Sequence, residues 1–229
     1  MNMQKVFELI VFDWDGTLMD SEAHIVASME RALEDLALPA LPKENIRNII
    51  GLGLFEALSQ LMPSQSQATY QEVIDRYRYH FFADDPCEPF EGAGAVLQVL
   101  VDEGYMLAVA TGKGRHGLDR VLNSTGFGKY FVETRCADET CSKPHPQMLQ
   151  EIMEALDTAP QKTLMIGDTE YDLEMAHAAK AAQLAVDYGV HERERLMAWN
   201  PLACLSSIQE LPAWLMEYTE NTQNQRASA

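Results

Sequence analysis

Four short segments of this 229-residue sequence set acids, hydroxyls or a lysine beside glycine or proline: Asp13-Trp14-Asp15-Gly16-Thr17, Thr111-Gly112-Lys113, Ser142-Lys143-Pro144, and Gly167-Asp168-Thr169 followed by Asp172. Asp13 and Asp15 can divide their labour if the turn that Gly16 permits separates them, one attacking an electrophile and the other handling protons. Paired acids also invite a divalent cation. Thr111 and the N–H groups after it can hold phosphate oxygens at a loop-to-helix transition. Lys143 is set in a non-helical turn by the proline after it, and an ammonium fixed there can neutralise a nucleophile and a transferring phosphoryl group together. Asp168, facing the same edge as Asp13 and Asp15, completes a set of oxygen donors suited to octahedral magnesium.

Each segment by itself also has an ordinary structural explanation. The first is a strand-end turn with capping acids, Thr111 a helix N-cap, Lys113 and Lys143 solvated loop lysines, and Asp168 with Asp172 the acids of a helix start. What favours chemistry is their succession, because each follows a predicted strand. Apolar, β-rich runs occur at residues 6–12, 105–110, 130–134, 163–166 and 184–186, and helical patterns between them at 93–103, 116–125, 146–156 and 171–179. This alternation predicts an α/β fold, a doubly wound, Rossmann-like parallel sheet whose carboxyl edge gathers the four segments.

One stretch breaks the alternation. From Ser21 to about Asp85 the pattern is helical throughout, with Ala27, Leu33 and Leu36 at helical spacing, which predicts an inserted all-helical cap over residues 19–86 and a core domain formed by 1–18 and 87–218. Asp84-Asp85-Pro86 and Glu88-Pro89 read as the hinge of the return crossing. The polar stretch TENTQNQRASA after Tyr218 reads as a disordered tail over 219–229, and no internal repeat is present.

Composition narrows the partners. Seventeen Lys and Arg against thirty-five Asp and Glu give a net charge of −18, which opposes docking on nucleic acid or anionic membrane. The same field repels phosphorylated molecules, so any phosphate site must be made locally by a metal, a lysine or converging N–H groups. Cys87, Cys136, Cys141 and Cys204 are scattered and read as reduced thiols; His145, His177 and His191 have no metal-ligand spacing. The N-terminal apolar run is only a strand's length and is followed at once by acids, so it predicts neither a signal peptide nor a membrane span, and a cytoplasmic location is expected. Monomer and homodimer are both left open.

In order and type, the four segments resemble the motifs of the haloacid dehalogenase superfamily of phosphohydrolases. Asp13 to Thr17 is similar to the first motif, Thr111-Gly112 to the second, Lys143-Pro144 to the third, and Gly167-Asp168-Thr169 with Asp172 to the fourth. The resemblance implies that Asp13 is the nucleophile of an aspartyl-phosphate mechanism and Asp15 the general acid and base. Mg2+ would be held by Asp13, the Asp15 backbone carbonyl and Asp168, with Asp172 orienting its waters, while Thr111 and Gly112 bind phosphoryl oxygens and Lys143 pairs with Asp13. The helical insertion, with Asp20-Ser21 at its entry and Gly51-Leu52-Gly53 within it, resembles the cap of the phosphoglycolate phosphatase-like subgroup. There Arg47 is a candidate reader of a substrate anion. The implied substrate is a small phosphorylated metabolite, phosphoglycolate or a sugar phosphate foremost, with a phosphosugar mutase or a non-catalytic metabolite-binding protein as alternatives. Two departures stand out: Trp14 replaces the aliphatic residue or Phe usual between the acids, and Lys180-Ala181-Ala182 stands where relatives often carry a glycine.

Overall fold

Leu9–Phe12 (β1) is a run of four apolar residues, all buried, and it lies inside a six-stranded sheet. The other strands are Met106–Thr111 (β2), Glu133–Cys136 (β3), Thr163–Gly167 (β4), Ala182–Val186 (β5) and Cys204–Leu205 (β6), in the order β3-β2-β1-β4-β5-β6, every pair parallel. These come from a computed structural model that describes residues 5–83 and 87–227. Although β1 is apolar without alternation, its side chains alternate between two cores. Ile10 and Phe12 pack with Leu97, Leu107, Val109 and Leu211, while Leu9 and Val11 pack with Met148, Ile152, Met165 and Met175 on the opposite face. A sheet covered on both faces is what the continuous hydrophobic runs require.

The order reverses direction between β1 and β4, and open α/β sheets bind ligands in the crevice at such a point. Register places the two strands level, with Phe12 paired to both Val109 and Ile166. Asp13, Thr111 and Asp168 therefore emerge within a residue of one height on three adjacent strands.

Between β1 and Ala93–Asp102 (α5) lie four helices, Glu22–Asp35 (α1), Lys43–Asn48 (α2), Leu54–Leu61 (α3) and Gln67–Ala83 (α4). They share an apolar cluster in which Ile25, Val26, Met29, Ala32 and Leu33 present one face of α1 to Val73, Ile74 and Tyr77 of α4. Ala27, expected on that face, is only half-buried. The outgoing and returning crossings run side by side: Met19 bridges Pro89, Asp20 N–H donates to Glu88 at 3.0 Å, and Phe90 N–H donates to Leu18 at 3.0 Å. The expected hinge at Asp84-Asp85-Pro86 lies outside the described residues.

The remaining helices are Arg115–Thr125 (α6), Gln147–Ala155 (α7), Glu170–Ala179 (α8), Arg193–Met197 (α9) and Leu211–Ala227 (α10). The last corrects the expected tail. Residues 219–227 continue α10, because no breaker follows the anchored part of the helix, where Leu211 and Leu215 are buried and Tyr218 stacks on Phe7 with centroids 5.6 Å apart. The strand expected at 130–134 also shifts. Phe127–Tyr130 form a 3-10 turn whose rings face the core, and pairing begins only where Val132 N–H donates to Leu107. Trp14 is buried beneath the first motif, edge-on to Phe127 and Phe131 at 6.4 and 6.1 Å.

Lys180 closes α8 with φ +61°, in the left-handed region. A side chain there costs about 1–2 kcal/mol that glycine avoids, less the greater entropy glycine loses on folding. Lys180→Gly is expected to stabilise the protein by up to about 1 kcal/mol, a rise of about 2–4 °C in Tm by thermal scan. An unchanged or lower Tm would contradict the strain assigned to this position.

Candidate active site

The first motif is shaped by close approach. Asp13 N–H extends the ladder by donating to Ile166 at 2.9 Å, then Gly16 turns the chain with φ +83°, and a Cβ on Gly16 would overlap the Asp168 carboxylate. Only glycine satisfies both demands. The turn brings Thr17 Oγ1–H to Asp168 Oδ1 at 2.7 Å, while Val190 N–H holds Asp168 Oδ2 at 2.9 Å.

Lys143 reaches the same crevice from the loop between β3 and α7. Its buried ammonium lies 2.6 Å from Asp13 Oδ1 and 2.6 Å from Asp172 Oδ1. Asp172 is fixed in turn by the start of α8, where its Oδ2 accepts from Thr169 N–H at 3.1 Å and from the Thr169 hydroxyl at 2.7 Å. Asp172 thus both caps α8 and pairs with Lys143.

Burial pushes the Asp13 carboxyl well above its usual range; Lys143 opposes the shift, and Asp172 and Asp168 add to it. Burial, with the Asp172 charge beside it, raises Asp168 to about 7. Burial alone would lower Lys143, but the Asp13 and Asp172 carboxylates carry it above the ordinary lysine value.

Asp13, Asp168 and Asp172 each offer an oxygen within 4.8 Å of the others. Three carboxylates face one ammonium, so full ionisation leaves two negative charges uncompensated in a buried site. Asp13 Oδ2 is buried without a hydrogen-bond partner among the described residues. An orphaned acceptor amid surplus negative charge fits a hard divalent cation. Asp13 Oδ2 is the oxygen best placed to ligate; both oxygens of Asp168 accept neutral hydrogen bonds, from Thr17 and Val190, whereas Asp172 is already paired with the Lys143 ammonium.

Asp15 stands apart from this cluster. One of its oxygens accepts from Ser21 Oγ–H at 2.6 Å, and the other lies 3.0 Å from Lys113 Nζ, which also sits over the Phe81 ring at 4.5 Å. Lys113 is therefore part of the site and no solvated loop charge. Thr111 is buried and accepts from Lys113 N–H at 3.2 Å. Gly112 lies beneath the loop joining α2 to α3, where an added Cβ would stand 2.5 Å from Gly51 O and 2.6 Å from Leu52 O. Gly53 N–H donates to Ser142 Oγ at 2.7 Å, so the second and third motifs are both in contact with this loop.

A cavity of about 360 Å3 lies between the four helices and the sheet edge, lined by Asp13, Asp15, Thr111, Gly112 and Lys113 and by residues of α1, α3 and α4. Arg47 is not among its lining residues, a departure from the sequence expectation. Its guanidinium pairs with Glu22 on α1, Nε to Oε1 at 2.6 Å, and reaches Val190 O at 3.4 Å. The cation that α4 brings to the cavity is Arg78. The partnerships of Thr17, Ser21 and Lys113 were missed because loop conformation sets them. Only the hydroxyl and charge types at these positions signalled them.

Residues 10–186 match the family model described as haloacid dehalogenase-like hydrolase. The chain is 34% identical over 209 residues to a Dickeya dadantii protein named "Probable phosphatase IndB", covering 89% of this chain and 91% of that one. It is 30% identical to a phosphoglycolate phosphatase of Vibrio parahaemolyticus, covering 91% and 96%. The crystal structure of a predicted phosphatase from Clostridium acetobutylicum matches with a TM-score of 0.83 at 26% identity, covering 93% of this chain and 99% of that one. The chain belongs to the haloacid dehalogenase-like hydrolases, enzymes on a Rossmann-like sheet. No helix among the described residues is long and apolar enough to cross a membrane.

Proposed function

We propose that the protein is a magnesium-dependent phosphatase that moves the phosphoryl group of a small phosphorylated metabolite to Asp13 and then to water. The observation that carries this reading is the buried Asp13–Lys143–Asp172 chain, which leaves Asp13 Oδ2 free at the edge of the cavity's reacting end. Asp13 would attack phosphorus as the bond to the leaving oxygen breaks, with Asp15 giving that oxygen its proton. Water would then attack the same phosphorus as Asp15 takes the proton back and the bond to Asp13 breaks. Ser21 and Lys113 orient Asp15 for both transfers, and Lys143, the Thr111 hydroxyl and the Gly112 N–H would meet the charge on the phosphoryl oxygens.

Asp13, the Asp15 backbone carbonyl and Asp168 would hold the cation, which when bound supplies charge neutralisation at the phosphoryl group. The helices α1 to α4 would act as a cap that excludes water, in line with the contacts of the Gly51–Gly53 loop over Gly112 and Ser142. Thr17 after Gly16 favours a phosphatase over a phosphosugar mutase, whose relatives usually carry an apolar residue there. A phosphonate hydrolase would need a cap lysine, and among the described residues no lysine of α1 to α4 lines the cavity.

The test is phosphate release from p-nitrophenyl phosphate. Turnover should require added magnesium and disappear with a chelator. Turnover undiminished by the chelator would contradict the reading.

A further inference from the structure

The cavity is larger and more apolar than a two-carbon phosphate ester requires. Its volume of about 360 Å3 falls in the range of roughly 300–1,000 Å3 that takes ring-containing ligands. Away from the reacting groups its apolar walls include Ile25, Met29, Ile50, Leu54, Phe81 and Phe82. The aromatic side is continuous: Phe81 stands edge-on to Phe82 at 5.9 Å, and Phe82 edge-on to His116 at 5.4 Å. Such a lining gains little from a glycolate or a polyhydroxylated sugar, most of whose hydroxyls would lose water against apolar walls, with Tyr77, His116 and Asp138 the polar groups at the cavity's side.

The charged groups of the cavity are mostly committed. Lys113 is paired with Asp15, and Asp138 accepts from Arg115 N–H with both oxygens, at 2.9 and 3.2 Å. Arg78 is different. It is exposed; its Nη2 stands by Gly114, 3.6 Å from where a Cβ would be, on the same side as the Asp138 carboxylate, yet it makes no hydrogen bond or ion pair among the described residues. In a chain of net charge −18, an exposed guanidinium without an ion pair among the described residues, lining an apolar cavity that also holds Asp13 and Asp15, suits an anionic group of the substrate.

We infer that the leaving alcohol carries an apolar body of ring size and an anionic group of its own, held by Arg78. This rests on the phosphatase reading and narrows its substrate class. The test uses four esters of primary alcohols: ethyl phosphate, phosphoglycolate, benzyl phosphate and 4-carboxybenzyl phosphate. Specificity constants should rise roughly tenfold or more from ethyl to benzyl phosphate, as the ring leaves water. The carboxylate should add a further factor of roughly ten, and that added factor should vanish in Arg78→Gln. Calorimetric binding of the same esters to the Asp13→Asn enzyme should follow the same order without turnover.

Hydrolysis with ethyl phosphate or phosphoglycolate preferred would overturn this inference while leaving the phosphatase reading intact. A carboxylate advantage that persists in Arg78→Gln would overturn the role of Arg78. If wild-type enzyme hydrolyses p-nitrophenyl phosphate but none of the four, this inference alone fails; if it hydrolyses neither, the phosphatase reading fails and the inference with it.

Discussion

Replacing Lys143 by methionine is expected to cost about 3–5 kcal/mol of stability at neutral pH, because it strips the one ammonium from buried carboxylates that depend on it. Nζ lies 2.6 Å from both Asp13 and Asp172, and no other side-chain cation pairs with either acid among the described residues. Turnover should also fall by about 10²–10³ in kcat, the loss typical of removing one fixed donor at the reacting centre. The two effects separate in the double variant Lys143→Met with Asp172→Asn. Removing one of the stranded charges should restore part of the stability in urea denaturation, and turnover should stay low. Full activity in Lys143→Met, or a loss of stability below about 1 kcal/mol, the scale of an exposed ion pair, would contradict the role assigned to this lysine.

The second large effect concerns pH and the cation. Asp168 is raised to about 7, against about 3.9 for an unfolded aspartate. A carboxyl whose folded pKa lies above its unfolded value binds a proton more tightly when folded. Its contribution to stability is complete below about pH 3.9 and is lost as pH rises through about 7. Without a cation, then, the folded protein carries a growing penalty between pH 5 and pH 8, of order a few kcal/mol for a fully buried group. Magnesium replaces the proton, so it should stabilise far more at pH 8 than at pH 5. Thermal scans with and without magnesium should show a rise in Tm of several degrees at pH 8 and little at pH 5. Asp168→Asn should remove the difference. An equal magnesium effect at both pH values would argue against a cation among these acids.

How much of this was legible in the sequence depended on whether chemistry or loop shape set each position. Asp13 and Asp168 directly follow strands of a parallel sheet and Thr111 ends one, and strand ends of one sheet share an edge, so residue type and order suffice to group them, with Lys143 joining from the loop after β3. Arg47 lies near Gly51 along the chain, but Glu22 faces it across α1 and α2 and draws it aside. Arg78 gave no signal, since a helix such as α4 carries arginines on its exposed side in any case. Lys113 reads as a solvent lysine in the sequence because nothing in the chain order says that Asp15 turns toward it. The sheet's last strand, Cys204–Leu205, is too short for any periodicity, and the polar end of α10 has none of the apolar spacing by which helices are recognised. Lys180 shows the converse, since the left-handed turn persists although the glycine that would suit it is missing.

The most direct measurement is chemical trapping of the enzyme during turnover. Borohydride reduces an acyl phosphate to an alcohol, so quenching wild-type enzyme in mid-reaction should convert the side chain at position 13 to homoserine, detected by mass spectrometry of the peptide spanning β1. Asp13→Asn should neither release phosphate nor yield the reduced peptide. Unmodified Asp13 in enzyme that is steadily releasing phosphate, or phosphate release by Asp13→Asn at the wild-type rate, would mean that the phosphoryl group passes directly to water and that the carboxylate beside Lys143 is not the nucleophile.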